Sequence, residues 1–317
     1  MTDMSRREWL SAVPAALGAG LALGGPTGDQ ARAAVDSDKS PFGFCFNTST
    51  IQGQKRPLPE VVDIVAEAGY QGIEPWIREL DQYVKDGGSL KDLGKRIADR
   101  GLSVEDAIGF FEWAVDDDAR RTKGFEEAKR NMDMVLQIGG RRIAAPPAGA
   151  TDRSDVDLKK VAERYHALLE LGDSIGVVPQ VEVWGFSKTL GRLSEAAQVA
   201  IESGHPRACI LPDVYHLHKG GSSFEGLKLL SGTAFHIFHL NDYPADPPRA
   251  KITDAHRVYP GDGVAPLRSV FQTLRSIGFR GMLSLELFNR EYWKQDPRLV
   301  AKTGLEKMKE AVKKGLA

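Results

Sequence analysis

Four short runs between Gln180 and Asn289 decide the fold: Val181-Glu182, Ile210-Leu211-Pro212-Asp213, Phe235-His236-Ile237-Phe238-His239 and Met282-Leu283-Ser284-Leu285-Glu286. Each is apolar, too short for a helix, and separated from the next by an apolar or turn-rich segment, as parallel strands joined by crossovers are. Each ends on a residue type that binds metals. Carboxylate, carboxylate, imidazole and carboxylate form a donor set for a divalent cation that takes oxygen with some nitrogen. Four such residues at four strand ends converge only if the strands lie side by side around one opening.

Working outward, the same alternation extends upstream. Strands are expected at Phe42–Asn47, Gly72–Trp76, Leu102–Ile108, Arg142–Ala145 and Val177–Val183, then Ala208–Leu211, Ala234–Leu240 and Gly281–Leu287. Helices are expected at 57–68, 89–100, 119–138, 155–175, 189–203, 224–230, 264–277 and 297–314, several closed by a glycine such as Gly69, Gly101 or Gly176. In 189–203, Leu190, Leu193, Ala197 and Ile201 are expected along one buried face. Eight such units without a composition break predict an α/β protein, a single-domain (β/α)8 TIM barrel over 34–317 with its site at the C-terminal strand ends. An open doubly wound sheet is the alternative, but no GxGxxG or P-loop follows the first strand. The proline-rich stretch Asn241–Gly263 is long for a loop in a compact domain, which marks it as functional.

The 317 residues are 42% hydrophobic and 27% charged with a formal net charge of -1, which gives no reason to expect nucleic acid or a membrane surface as partner. The two cysteines, Cys45 and Cys209, form no CxxC and are expected to pack inertly. Residues 1–33 differ in kind. Ser5-Arg6-Arg7-Glu8-Trp9-Leu10 resembles a twin-arginine export signal, followed by an Ala-, Gly- and Leu-rich stretch and a small-x-small site at Ala31-Arg32-Ala33. The expectation is cleavage before Ala34, a periplasmic location and no stable membrane insertion afterwards.

Glu182, Asp213, His239 and Glu286 are therefore the candidate metal ligands, for one Mg, Mn, Co or Zn ion. His216, three residues past Asp213, can face the same pocket. Arg257 and His256 lie on the long loop, with Arg257 a candidate for holding a substrate oxygen or anion. Pro260-Gly261-Asp262-Gly263 is a rigid turn that can fix it. Glu74 is placed to bind substrate hydroxyls. Phe44, Trp76, Phe110, Phe111, Trp113 and Trp184 can wall a sugar-sized pocket, with about half expected in the core.

From about Phe42 to Lys314 the chain resembles the xylose-isomerase-like barrel superfamily, in its sugar phosphate isomerase/epimerase branch. The resemblance rests on Gly72-Ile73-Glu74, Val181-Glu182, Asp213-Val214-Tyr215-His216, His239-Leu240-Asn241-Asp242, Pro260-Gly261-Asp262-Gly263 and Leu285-Glu286. It implies one divalent metal on Glu182, Asp213, His239 and Glu286. It also implies Glu182 and Glu286 as acid and base, His216 and Arg257 orienting sugar oxygens, and a homo-oligomer. The expected reaction is isomerisation or epimerisation of a small sugar through an enediolate. A lyase acting by β-elimination on a keto-sugar, keto-glycoside or inosose is the alternative. A non-catalytic sugar-binding barrel is a third reading, in which the metal set is accidental. Asp254-Ala255-His256 locally resembles a motif of endonuclease IV. The histidines which that family's trinuclear zinc cluster requires on strands two and three are missing from this sequence.

Overall fold

The computed structural model describes residues 40–317; the expected export signal and cleavage site fall outside the described residues. Eight parallel strands follow in order: β1 (Gly43–Asn47), β2 (Gly72–Glu74), β3 (Ser103–Val104), β4 (Arg142–Ala145), β5 (Val178–Glu182), β6 (Ile210–Leu211), β7 (Ile237–Leu240) and β8 (Met282–Leu285). Ladders run β3-β2-β1-β8-β7 and β4-β5-β6. Single contacts join the two groups. The Ala144 amide donates to the Ala107 carbonyl at 2.9 Å, and the Ile210 and His239 amides reach across the β6–β7 seam to the Ala234 and Pro212 carbonyls at 2.9 and 3.0 Å. The strands thus close into the (β/α)8 barrel.

The helices outside are α1 (Leu58–Ala68), α2 (Ile77–Lys85), α3 (Leu90–Asp99), α4 (Asp118–Gln137), α5 (Leu158–Ile175), α6 (Leu193–Glu202), α7 (Val214–Lys219), α8 (Leu267–Ser276) and α9 (Pro297–Leu316). Their starts follow local chemistry. The side chains of Ser89, Asp117 and Asp157 cap α3, α4 and α5 by accepting from amides of the first turn. At the other end of α5, Gly176 takes φ 94, a left-handed conformation that costs a side-chain-free residue little. Leu58, Val61, Val62, Ile64 and Val65 on α1 show how the inward stripe of each helix joins the strands in the core.

Three expectations are corrected. The face read into residues 189–203 is misregistered: α6 begins at Leu193, its buried residues are Leu193, Ala196 and Val199, and Ile201 is 73% exposed. Leu190 precedes the helix at φ 56, so a period counted from it points the wrong way. Helices α2 and α7 were not anticipated: each begins just past a strand end, and the N-cap of α7 is Asp213, a residue expected only as a metal ligand. The third strand pairs over two residues rather than seven; beyond it, Ile108 makes only an isolated bridge to Trp76.

Candidate metal centre

Register brings the ligand-type residues to one level of the barrel. His239 pairs with Asp213 on one side and with Ser284 on the other. Glu286 directly follows Leu285, which pairs with Leu240 and Phe46. Ligand atoms of Asp213, His239 and Glu286 lie within 4.8 Å of one another, all three residues buried. His239 Nδ1 sits 3.2 Å from Glu286 Oε2 and 3.8 Å from Asp213 Oδ2. Glu182, at the end of β5, lines a cavity together with Glu286 but stands outside this tight group.

The polypeptide fits a cation here. Buried side-chain atoms without a hydrogen-bond partner include Glu182 Oε2 and His239 Nδ1, and leaving such groups bare in a dry interior is costly. On the other face of His239, Nε2 lies 3.3 Å from Glu74 Oε1. A carboxylate behind a histidine whose second nitrogen faces an acidic cluster is the arrangement that orients metal ligands. Glu74 therefore does not line the cavity as the sequence suggested. It is fully buried, accepts from Asn47 Nδ2 at 3.3 Å and from the Ser284 hydroxyl, and supports His239 from below.

Asp213 caps α7, accepting the His216 amide at 2.7 Å, while its other oxygen accepts from Asn241 Nδ2 at 2.8 Å and Arg257 Nη1 at 3.1 Å. Arg257 is buried, and its Nη1 also donates to Glu286 Oε2 at 2.7 Å. Its Nη2 donates to Asp254 Oδ1 and stands 3.1 Å from His216 Nε2. The loop that delivers Arg257 is pinned by Asp242, whose carboxylate accepts the amides of Gly261, Gly263 and Ala265. A side chain on Gly263 would meet Asp242 Oδ1 at 2.3 Å, so glycine is required for that close approach. His256 is not among the residues lining the cavity: its Nδ1 accepts the Thr253 amide and caps the short 3-10 turn Asp254–His256.

The electrostatics separate the carboxyls. Burial, reinforced by Glu286, pushes Glu182 up to about 8. Burial also acts on Glu286, but His239 and Arg257 beside it outweigh that and hold it well below the usual carboxylate range. The same pairing, with Glu74, raises His239 despite its burial. Burial and then the Arg257 charge lower His216. Neutral His216 has donors facing both ring nitrogens, the Gly185 amide at Nδ1 (3.2 Å) and Arg257 at Nε2. Its one N–H therefore lacks an acceptor in these contacts.

The cavity holds about 230 Å³. Its wall is a chain of rings: Phe288 to Trp76 (5.8 Å between centroids), Trp76 to Phe110 (5.3 Å), Phe110 to Trp184 (5.5 Å), Trp184 to Phe186 (5.1 Å) and Phe186 to His216 (5.8 Å). Of the aromatics expected there, Trp76, Phe110 and Trp184 line it, while Phe44, Phe111 and Trp113 are core. Phe186, Phe288 and Asp254 were missed, as was Asn47. Asn47 joins Glu74 to Glu286, donating to Glu286 Oε1 at 3.2 Å and accepting the Trp76 indole N–H at 2.8 Å. Its position as the last residue of β1 was the available signal. A larger groove of about 770 Å³ opens between α1 and α2; its Glu79 is committed to Thr48 and the Trp76 amide.

Comparison with known proteins agrees with this architecture. The chain is 29% identical over 284 residues to the inosose isomerase of Bacillus velezensis, covering 86% of this chain and 97% of that one. It is 26% identical over 257 residues to the 3-dehydroshikimate dehydratase of Pseudomonas aeruginosa, covering 78% of this chain and 39% of that one. Among solved structures, the IOLI protein crystallised with a zinc atom superposes with a TM-score of 0.80 at 24% identity, over 86% of this chain and 99% of that one. The family model described as xylose isomerase-like TIM barrel matches residues 62–311, and the chain belongs to that family.

Proposed function

We propose that the protein is a divalent-metal-dependent sugar isomerase or epimerase that moves a proton on the carbon next to a carbonyl, with Glu182 and Glu286 as its acid/base pair. One observation carries this reading: Glu182 and Glu286, from the ends of two different strands, face one small cavity beside the buried Asp213, His239 and Glu286 group. An ionised carboxylate takes the proton, and a protonated one returns it to the neighbouring carbon or the opposite face. A Mg, Mn, Co or Zn ion held by Glu182, Asp213, His239 and Glu286 would polarise the carbonyl and stabilise the enediolate's charge. His216 lines the cavity with Arg257 against its Nε2, and Arg257 in turn holds Glu286. The aromatic wall takes the apolar face of a ring and excludes water.

Similarity to an inosose isomerase supports this reading, and similarity to a 3-dehydroshikimate dehydratase supports the alternative, in which the same proton abstraction leads to loss of a β-leaving group. Incubating the metal-loaded protein with keto-sugars and inososes in deuterated water separates them. Deuterium at the α-carbon with a new isomer is expected, whereas an unsaturated product assigns the lyase. Glu182→Gln and Glu286→Gln should each lower turnover at least ~100-fold; full activity in both removes the acid/base assignment. The arginine pair at Arg6-Arg7 supports export of the folded protein as part of the same proposal. Replacing both by Lys should leave the protein in the cytoplasmic fraction, and unchanged fractionation counts against export.

A further inference from the structure

The cavity leaves little to hold an anion. Among the described residues lining it, Arg257 is the one cationic side chain. Both Nη atoms, the fork that grips a phosphate or carboxylate, are already spent on Asp213, Glu286 and Asp254, and its Nε is sealed from solvent. Of the three lining carboxyl side chains, Glu182 and Glu286 are assigned above to the metal and the acid/base pair, which leaves Asp254. Asp254 belongs to none of the proposed ligand or acid/base roles. Its Oδ1 accepts from Arg257, among the described residues no hydrogen bond engages its Oδ2, and its side chain is 38% exposed. A carboxylate oxygen at the wall of a sugar-sized pocket is a strong acceptor for a hydroxyl and repels a second anion.

The volume points the same way. About 230 Å³ is below the ~300–1,000 Å³ of drug-sized sites and leaves room for one ring. Phe110 and Phe186, two members of the aromatic wall, are 44% and 49% exposed, so the wall presents ring surface to whatever enters. Aromatic faces and a hydroxyl acceptor suit an uncharged polyol with an apolar face and not a phosphorylated one.

We infer that the site takes an uncharged, unphosphorylated polyhydroxy ketone of one-ring size, and that Asp254 determines this specificity by accepting a substrate hydroxyl and repelling anionic analogues. The inference rests on the sugar-carbonyl reading above, but its test measures binding alone. Trp76 and Trp184 line the cavity, so their fluorescence reports occupancy without turnover. The Mg-loaded protein is titrated with D-fructose, with 2-keto-myo-inositol as an uncharged ring ketone, and with D-fructose 6-phosphate. The uncharged ketones should bind about 100-fold more tightly than the phosphate, the scale of a like-charge penalty in a confined site. Asp254→Asn should weaken the uncharged ligands roughly 10-fold while tightening the phosphate. A role confined to positioning Arg257 would weaken both together, and that outcome overturns the assignment to Asp254. Equal or tighter binding of the phosphate, or no binding of either uncharged ketone at millimolar concentration, overturns the substrate class. If the discrimination is found but no α-deuterium exchange occurs in any ketone, the reaction reading falls and the binding inference stands.

Discussion

Glu74 and Arg257 show how much of the site's chemistry is set by groups that do not carry the reaction. Glu74 is one carboxylate among several at strand ends, and its residue type alone suggests substrate contact. Its burial and its 3.3 Å approach to His239 Nε2 make it instead the group that fixes which histidine nitrogen faces the acidic cluster. Glu74→Gln should therefore leave the barrel folded and weaken metal binding by about 10–100-fold, the usual effect of losing such a partner. A metal-competition titration reads this directly, and unchanged affinity would return Glu74 to a packing role. Arg257 is legible as a functional candidate from its place on the long proline-rich loop and its capacity to hold an oxygen or anion. That it joins Asp213, Glu286 and Asp254 at once depends on a loop whose path sequence spacing does not specify.

At the scale of the element, α6 separates what periodicity can and cannot give. A 3.6-residue repeat identifies a helix, but its phase depends on where the first turn begins. Leu190 lies in the preceding loop at positive φ, and counting from it brings Ile201 to the wrong face. Val199→Ala should cost roughly 1–3 kcal/mol, since it removes buried methyl groups. Ile201→Ser should change stability by no more than ~0.5 kcal/mol, as an exposed substitution does. Urea unfolding of the two variants checks the assignment; comparable losses would mean that the face is wrongly drawn. The same logic explains α2 and α7. Both follow strand ends directly, and α7 is capped by Asp213, so a ligand-type residue also serves as its N-cap.

For the whole molecule, acid stability has an identifiable contributor in His236 at the start of β7. Burial, with Arg142 and Arg207 nearby, lowers it to about 4 from an ordinary 6.5. Above pH 6.5 the imidazole is neutral in both folded and unfolded chains and costs nothing. As the pH falls from 6.5 toward 4, the unfolded chain takes the proton while the folded one resists, so stability is lost across that window. His236→Gln should flatten this loss in urea midpoints measured at pH 7, 5.5 and 4.5. A variant whose midpoints fall in parallel with the parent's would assign the acid sensitivity elsewhere. The ring is half-buried, so the effect is one of several contributions.

The sequence by itself determined the repeating strand–helix order and the ligand-type residues at strand ends. Both follow from local chemistry: apolar runs too short for helices, glycine stops, and a barrel that exposes its strand ends on one face. It also supplied Trp76, Phe110 and Trp184 of the aromatic wall, but not Phe186 or Phe288. Only the tertiary structure decided that Glu74 stands behind His239, that Asn47 joins Glu74 to Glu286, and that Glu182 stands outside the tight group of Asp213, His239 and Glu286. Those outcomes depend on which side chains from distant strands share a desolvated space, and distance and burial belong to the closed barrel rather than to any one segment of the chain.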